Sequence, residues 1–361
     1  MSINVTRSSM PDFEEYCAEI RELWDSRWLT NNGAKHKKLQ ATLEEYLAVP
    51  HVTLYTNGHL ALENALEAYD FAPGAEIITT PFTFVSTTNS ITRKGLVPVF
   101  CDINRENYTI DVTKIEALIT ERTVAIMPVH VYGSLCDTEA IDRIAKKHGL
   151  RVIYDAAHAF GVTKNGRSAA DFGDATMFSF HATKVFHTIE GGALCYREDA
   201  LVPRLDAQKN FGCEGADCLY AGGNAKMSEF QAAMGICNLR HLKGEIEKRR
   251  AATLRYRERL ADVPGIRLLP EQEGVVSNYA YMPALFDGYR YTRDEVFDRL
   301  LAQDIVARKY FAPQIPDFTA YADHPADTPV SREIASKILT LPLFADLTLD
   351  DVDRICDIIL K

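Results

Sequence analysis

Among the 361 residues no apolar run approaches the roughly 20 needed to span a bilayer. The opening Met-Ser-Ile-Asn-Val-Thr-Arg-Ser lacks the basic-then-apolar layout of a secretory leader, so a cytoplasmic chain with no membrane partner is expected. The eight cysteines (17, 101, 136, 195, 213, 218, 237 and 356) include no C-x-x-C pair and read as reduced, partly buried thiols. Cys213 and Cys218 are the closest pair, but no second close Cys/His pair accompanies them. His181 and His187 also lack the i, i+4 spacing of helical ligands, so no metal is expected. A surplus of basic charge is missing too. The formal net charge of −10 argues against nucleic acid as a partner but leaves room for a small anionic substrate held by one or two local cations. No internal repeat or low-complexity tract is visible.

What is present is alternation. An amphipathic helix is predicted over Pro11 to Asp25, and a second over Ala34 to Ala48, with the polar loop Trp28-Leu29-Thr30-Asn31-Asn32-Gly33 between them. Strands follow at Val52 to Tyr55, Glu76 to Thr80, Val97 to Phe100, Val124 to Val129 and Arg151 to Asp155, separated by helices near 60–69, 84–93, 111–118 and 138–147. Such repeated units predict a mainly parallel sheet covered on both faces by helices, with ligands beyond the carboxyl ends of the strands. Asp155 falls at one of those ends. Two further strands, Ala175 to Phe180 and Gly192 to Tyr196, flank a loop, and a long helix is predicted from about 228 to 260. After Val263-Pro264-Gly265 the pattern changes to strands at 266–269, 279–285 and 305–309 with helices at 293–302 and 349–360. The expectation is a large α/β domain over 1–240 and a smaller α+β domain over 241–361, linked by the long helix.

The loop between the two later strands carries chemistry. In Ser179-Phe180-His181-Ala182-Thr183-Lys184, followed by Glu190-Gly191-Gly192, a hydroxyl and an amine lie five residues apart with a glycine pair soon after. Ser179 is placed to bond a phosphate while Lys184 reaches an aldehyde and forms an imine, the arrangement that pyridoxal phosphate requires. An isolated pattern of this kind is far more often a surface lysine in a loop; its company decides. Asp155 is a carboxylate suited to a pyridinium nitrogen, and Phe84 an aromatic at a strand-to-helix turn suited to stacking on the ring. The Thr56-Asn57-Gly58-His59 turn opens a helix whose free amides suit a phosphate.

These stretches together resemble the DegT-type nucleotide-sugar aminotransferases, a branch of the aspartate-aminotransferase fold (fold type I of pyridoxal-phosphate enzymes). The resemblance covers essentially the whole chain. It is carried by W-L-T-N-N-G at Trp28, T-N-G at Thr56, P-F-T-F at Pro81, D-A-A-H-A-F-G at Asp155, S-F-H-A-T-K-V-F-H-T-I-E-G-G at Ser179 and G-N-A-K-M-S-E-F-Q-A-A at Gly223. It implies Lys184 as the imine-forming lysine and later the acid/base, and Asp155 on the pyridine nitrogen. It further implies Phe84 on the ring, His158 near the 3-hydroxyl, and Ser179 with the amides of Gly58 and His59 around the phosphate. Asn224 would reach the phosphate of a neighbouring subunit, which implies a homodimer with shared active sites.

His59 stands where a small hydroxyl residue is common, so either its amide or its imidazole is open as the phosphate contact. His187 stands where asparagine is expected, and is open as a substrate contact or a loop residue. The implied reaction moves an amino group from L-glutamate, through the pyridoxamine form of the cofactor, to a nucleotide-linked keto-sugar. H-A-T-K-V-F-H-T-I-E-G-G is most similar to members that aminate C4 of a dTDP-4-keto-6-deoxyhexose to give dTDP-4-amino-4,6-dideoxyglucose, a deoxyamino sugar of the kind used in O-antigen or glycoside assembly. Trp28, Thr30, His181, Asn224, Lys226, Arg308 and Tyr310 are the candidate substrate contacts, with Arg308 or Lys226 on the diphosphate. Amination at C3, a sugar dehydratase of the same fold and a non-catalytic pyridoxal-phosphate-binding regulator are the rival readings. Retention of Lys184 counts against a dehydratase that carries histidine in its place.

Overall fold

The computed structural model describes residues 2–324 and 326–361. A seven-stranded sheet runs, in spatial order, through His51–Tyr55, Gly192–Tyr196, Ala175–Ser179, Arg151–Asp155, Thr123–Met127, Glu76–Thr79 and Val97–Phe100. Six strands point one way, and Gly192–Tyr196 runs against them between two of the others. The reversal has a simple cause. A parallel return needs a crossover, usually a helix, whereas the loop of residues 180–191 brings the chain straight back along its neighbour.

Side chains alternate between two cores on opposite faces of this sheet. Leu54, Ile78, Ile126, Val152, Tyr154 and Phe178 join the core that contains Leu39 and Leu242. Tyr55, Ile77, Met127, Ile153, Met177 and Leu194 join the core of Leu62, Leu66 and Leu205. Burial on both faces is why the strands read as nearly continuous apolar runs. The helices start where capping chemistry says they should. Asn57 accepts from the Leu60 amide, Asp137 from Ala140, and Ser228 closes a capping box with Gln231 at the head of the long helix Glu229–Leu260.

A second sheet is antiparallel, with Met282–Phe286 between Ile266–Leu268 and Ile338–Leu341. Its core gathers Tyr256 and Leu260 of the long helix with Phe286, Leu300 and Ile355, and also takes in Ile3 from the start of the chain. A small third sheet joins Thr163–Lys164 and Arg167–Ser168 to Val275–Val276.

Several predicted elements change shape. The helix expected over Pro11 to Asp25 is divided into Phe13–Ile20 and Glu22–Ser26, because hydrogen bonds at Arg21 and Trp24 tighten to the residue three back. Phe13 and Trp24 are exposed rather than packed. No strand forms over 305–309. Ile305 bridges Ile3 while Arg308 bridges Thr340, so its two ends pair with different segments and no ladder is built. The strand expected from Tyr279 starts at Met282, after a left-handed turn at Tyr279 (φ 51°). The helix Pro329–Lys337 and the strand Ile338–Leu341 were not anticipated.

Candidate active site

The carboxyl ends of the parallel strands, and the amino end of the reversed one, lie at a common edge, since Gly192 pairs with both Tyr55 and Ser179. Asp155 ends the Arg151–Asp155 strand there and is buried. One oxygen accepts the Thr87 hydroxyl proton at 2.7 Å and the other the Ala157 amide at 3.0 Å. Burial pushes its carboxyl above the usual range, opposed by these two bonds and by the Lys184 ammonium. Both bonds come from uncharged donors, and among the described residues the carboxylate is in no ion pair. A buried carboxylate without an ion pair is stabilised by any cationic group placed against it.

His158, three residues on, is also buried and lies face to face with Phe311 at 5.9 Å. Its Nδ1 accepts the Tyr132 amide at 3.1 Å, which leaves the ring proton on Nε2. Burial first, and Lys184 second, hold its pKa well below the ordinary value, so the ring is neutral. The Lys184 amine stands 6.0 Å from the centre of Tyr281, whose ring is 4.6 Å from that of His158. Tyr310 extends this wall, with ring centres 5.9 Å from Tyr281 and 6.5 Å from Phe84. Phe84 is 54% exposed at the start of helix Val85–Arg93, a large uncovered ring face beside the buried acid. Arg308 lies at the outer end of the wall, 5.1 Å from the Tyr310 ring.

The phosphate end is built by close approach. A Cβ on Gly58 would sit 2.9 Å from the Met177 sulfur and 3.1 Å from Ser179, and one on Gly192 would sit 2.5 Å from the Gly58 nitrogen. Only glycine lets the helix start lie against the ends of two strands. Asn57 caps the Leu60 amide, and the Gly58 and His59 amides make no hydrogen bond among the described residues, so they remain for an anion. The His59 imidazole is committed elsewhere. Nδ1 is 3.0 Å from the Ser86 hydroxyl and Nε2 3.1 Å from Glu63. Of the two alternatives left open by the sequence, the unbonded amide is the group still available to an anion. Burial raises the Glu63 pKa, but the bonds from His59 and Arg93 outweigh it and bring it down to about 2.

His181 is exposed on the rim of the Lys184 loop, with its amide 3.4 Å from the Ser179 hydroxyl and Nδ1 2.8 Å from Thr183. Trp28, Thr30, Asn224 and Lys226 are not joined to this group by any hydrogen bond, ion pair or ring contact among the described residues. Lys226 instead lines a second cavity with Asn31, Asn32, Lys209, Asn210 and Cys213, which adjoin the other three in the chain or by pairing. Lys226 bonds the Asn210 carboxamide at 2.9 Å, and Asn210 bridges Asn224. Trp28 is 57% exposed, its indole N–H on the Asn31 carbonyl. The Thr56 amide holds the Ala225 carbonyl at 2.8 Å and so ties this second group to the turn behind the first. His187 belongs to neither group. It is buried, with Nε2 2.5 Å from the Ser9 carbonyl and its own carbonyl held by Asn238, and it fastens the N-terminal segment to the long helix.

Residues not singled out in the sequence complete the first group. Thr87 was within reach, one helical turn beyond Phe84. Tyr281 and Phe311 left no local signal, because only folding brings them from distant positions.

The sequence profile of the DegT/DnrJ/EryC1/StrS aminotransferase family matches residues 12–360. The chain belongs to this family. It is 43% identical to a dTDP-4-amino-4,6-dideoxy-D-glucose transaminase of Shigella dysenteriae, over 98% of this chain and 97% of that one. Its fold superposes on that of DesI, solved in the presence of its TDP-sugar product, with a TM-score of 0.94 at 32% identity over 99% and 92% of the two chains. A Streptococcus pneumoniae protein solved in PLP and PMP forms matches with a TM-score of 0.91 at 26% identity, over 99% and 97%. The enzyme is a pyridoxal-phosphate-dependent aminotransferase. Its residues fit that cofactor. Asp155, in no ion pair among the described residues, suits a protonated ring nitrogen; the free amides of Gly58 and His59 with the Ser179 hydroxyl suit a phosphate, and the exposed Phe84 suits stacking on the ring. Among the described residues no cluster of His, Cys, Asp and Glu is placed to hold a metal, and no helix is long and apolar enough to cross a membrane.

Proposed function

We propose that the enzyme transfers the amino group of L-glutamate to C4 of a nucleotide-linked 4-keto-6-deoxyhexose, dTDP-4-keto-6-deoxyglucose in the first instance. The observation that carries this reading is the 43% identity, over nearly the full length of both chains, to a transaminase named for the corresponding amino sugar. When bound, pyridoxal phosphate supplies a carbonyl that takes up the amino group and a ring that accepts the electron pair freed by deprotonation. Lys184 would hold the carbonyl carbon, and its amine, once released, carries the proton between the sugar carbon and the cofactor. Asp155 would keep the ring nitrogen protonated, and neutral His158 would offer its Nε2–H to the cofactor. Tyr281 and Tyr310 supply an apolar wall beside the Lys184 amine.

We further take the working unit to be a homodimer with shared sites. In support, Asn224 is exposed, and one chain holds the Lys184 group and the Lys226 group apart, so that a two-fold neighbour can bring one up to the other. Lys226 or Arg308 then neutralises the diphosphate, with Trp28, Thr30, His181 and Tyr310 along the nucleotide sugar. We divide the chain into a cofactor-binding part, 1–240, and a smaller part, 241–361, against whose core Ile3 packs.

The test is a panel of dTDP-, UDP- and GDP-linked 3-keto and 4-keto sugars with L-glutamate as donor, read by the amino-sugar product. Turnover of the dTDP 4-keto sugar supports the reading; activity confined to 3-keto sugars sinks the C4 assignment. Release of water from the sugar without amination puts the dehydratase in its place. Loss of the cofactor's visible absorption on adding glutamate, absent in Lys184→Ala, checks the donor half.

A further inference from the structure

Residues 210–224 leave the fold as a hairpin whose two strands are Cys213–Glu214 and Asp217–Cys218. The turn is Gly215-Ala216, with Gly215 at φ 60°, so Glu214 and Asp217 close it and Cys213 stands directly opposite Cys218. One pair further on, the Leu219 amide bonds the Gly212 carbonyl at 2.9 Å. Hydrogen-bonded pairs alternate with non-bonded ones, which makes Cys213 and Cys218 a non-hydrogen-bonded pair. At such pairs the Cα atoms approach to about 4.5 Å, with side chains on the same face, inside the span a disulfide bridges.

Both thiols approach one oxygen, and the Cys218 sulfur also stands 3.3 Å from the Tyr220 carbonyl. The Phe211 carbonyl lies 3.9 Å from the Cys213 sulfur and 3.4 Å from that of Cys218. The Cys213 thiol is shifted upward, by desolvation first and by its hydrogen bond to Cys218 second. Cys218 is exposed and Cys213 half-buried, whereas five of the other six cysteines are buried and Cys17 is half-buried. The hairpin therefore holds two reachable thiols in contact on a preformed frame.

The frame leads to the second group of site residues. At the hairpin's foot the Phe211 amide bonds the Gly223 carbonyl at 2.8 Å, and Asn210 bridges Asn224. Lys226 lies 4.6 Å over the Phe211 ring with its amine on Asn210. Cys213 itself lines the cavity that Lys226 faces. We propose that Cys213 and Cys218 form a reversible cross-strand disulfide, a thiol modification site whose closure holds Asn224 and Lys226 in position for a nucleoside diphosphate.

The oxidant is a small-molecule disulfide such as oxidised glutathione. One cysteine thiolate attacks it and releases one glutathione thiolate. The second cysteine thiolate then attacks the mixed disulfide and releases the other. Two electrons pass from the cysteines to glutathione, and the two cysteine protons end on the two glutathione thiols.

Closure removes conformational freedom from the hairpin before ligand binds, which favours binding. The coupling to ligand rests on the proposed role of Lys226; the disulfide does not. Both cysteines fall in one tryptic peptide, residues 210–226, with no other cysteine, and cleavage after Glu214 separates them. The cofactor-loaded enzyme is equilibrated in glutathione buffers of rising oxidised fraction, quenched with an alkylating agent and digested. The expected result is that peptide lacking two hydrogens, split by Glu214 cleavage into two fragments joined until reduced, with the other six cysteines alkylated. Both cysteines alkylated at every redox poise, or a Cys218 disulfide between two chains, overturns the modification site. Calorimetry with dTDP reads the coupling, with a several-fold lower Kd expected for the oxidised wild type and no change for Cys218→Ser. Equal Kd values in the two redox forms overturn the coupling alone. Absence of dTDP binding in both forms counts against the coupling and the nucleotide reading together, while the disulfide stands or falls on peptide mass.

Discussion

The hydroxyl of Thr87 donates to the carboxylate of Asp155 at 2.7 Å, and among the described residues that buried carboxylate is in no ion pair. Asp155→Asn keeps the shape and removes the charge, so the ring nitrogen of the cofactor is no longer held protonated. A fall in kcat/KM of about 10²–10³-fold is expected, as for other pre-set electrostatic groups, with the cofactor still bound through its phosphate. Thr87→Val removes one charge-assisted bond, worth about 1.5–3 kcal/mol at most, and should lower kcat/KM less than Asp155→Asn. A Thr87→Val variant as inactive as Asp155→Asn would show that orientation, not charge, dominates.

Two neighbours on one turn should part company. Gly58→Ala puts a Cβ against Met177 and Ser179 and displaces the unbonded Gly58 and His59 amides proposed to hold the phosphate. The cofactor dissociation constant is expected to rise by about tenfold or more, equal to about 1.4 kcal/mol. His59→Ala loses the bonds to Ser86 and Glu63, a stability cost of about 1 kcal/mol, yet leaves cofactor affinity unchanged. Equilibrium titration of the apo-enzyme with cofactor separates the two, and a large loss of affinity in His59→Ala would restore the imidazole as a phosphate ligand.

Acid lability follows from buried histidines. Burial lowers His36 to about 4 and His130 to about 3, and pushes His158 and His187 below the ordinary 6.5. In the unfolded chain these groups bind protons as the pH drops below 6.5, so their stabilising contribution is present above that value and is lost on acidification. Each proton adds about 1.4 kcal/mol per pH unit to the slope. Asp155, raised, carries the opposite sign, its contribution present below the ordinary carboxylate value and lost as pH rises. His187→Gln keeps a donor for the Ser9 carbonyl and drops one titrating ring. Its thermal midpoint should depend less steeply on pH below neutrality, with KM unchanged, and a raised KM would make His187 a substrate contact after all.

Shared sites predict complementation. On the proposed shared site, Lys184→Ala would lack the amine and Asn224→Ala the reach to a neighbour's phosphate. Random mixing of the two chains rebuilds one intact site in half of the dimers, so about a quarter of wild-type activity is expected to return. No recovery after subunit exchange, with dimers present by ultracentrifugation, would place Asn224 in its own chain's site.

What the sequence determined by itself was local. Strands buried on both faces declare themselves as apolar runs, caps and glycines mark where helices begin, and the Ser179 to Gly192 stretch names its chemistry because phosphate, aldehyde and close backbone approach each demand a residue type at a set spacing. Asp155 was legible at a strand end because sheet topology delivers strand ends to ligands. Tertiary structure decided the rest. The reversed strand Gly192–Tyr196 depends on a loop too short of helix to cross over. The missing strand at 305–309 depends on Ile3 and Thr340, over 30 residues away in each direction, drawing its two ends to different partners. The His59 ring is taken up by Ser86 and Glu63, one at each nitrogen, and His187 is a tether because Ser9 lies against it. Tyr281 and Phe311 join Tyr310 at the site only through tertiary packing. Sequence periodicity reports which face of an element is buried; it carries no information on which distant side chain that face will meet.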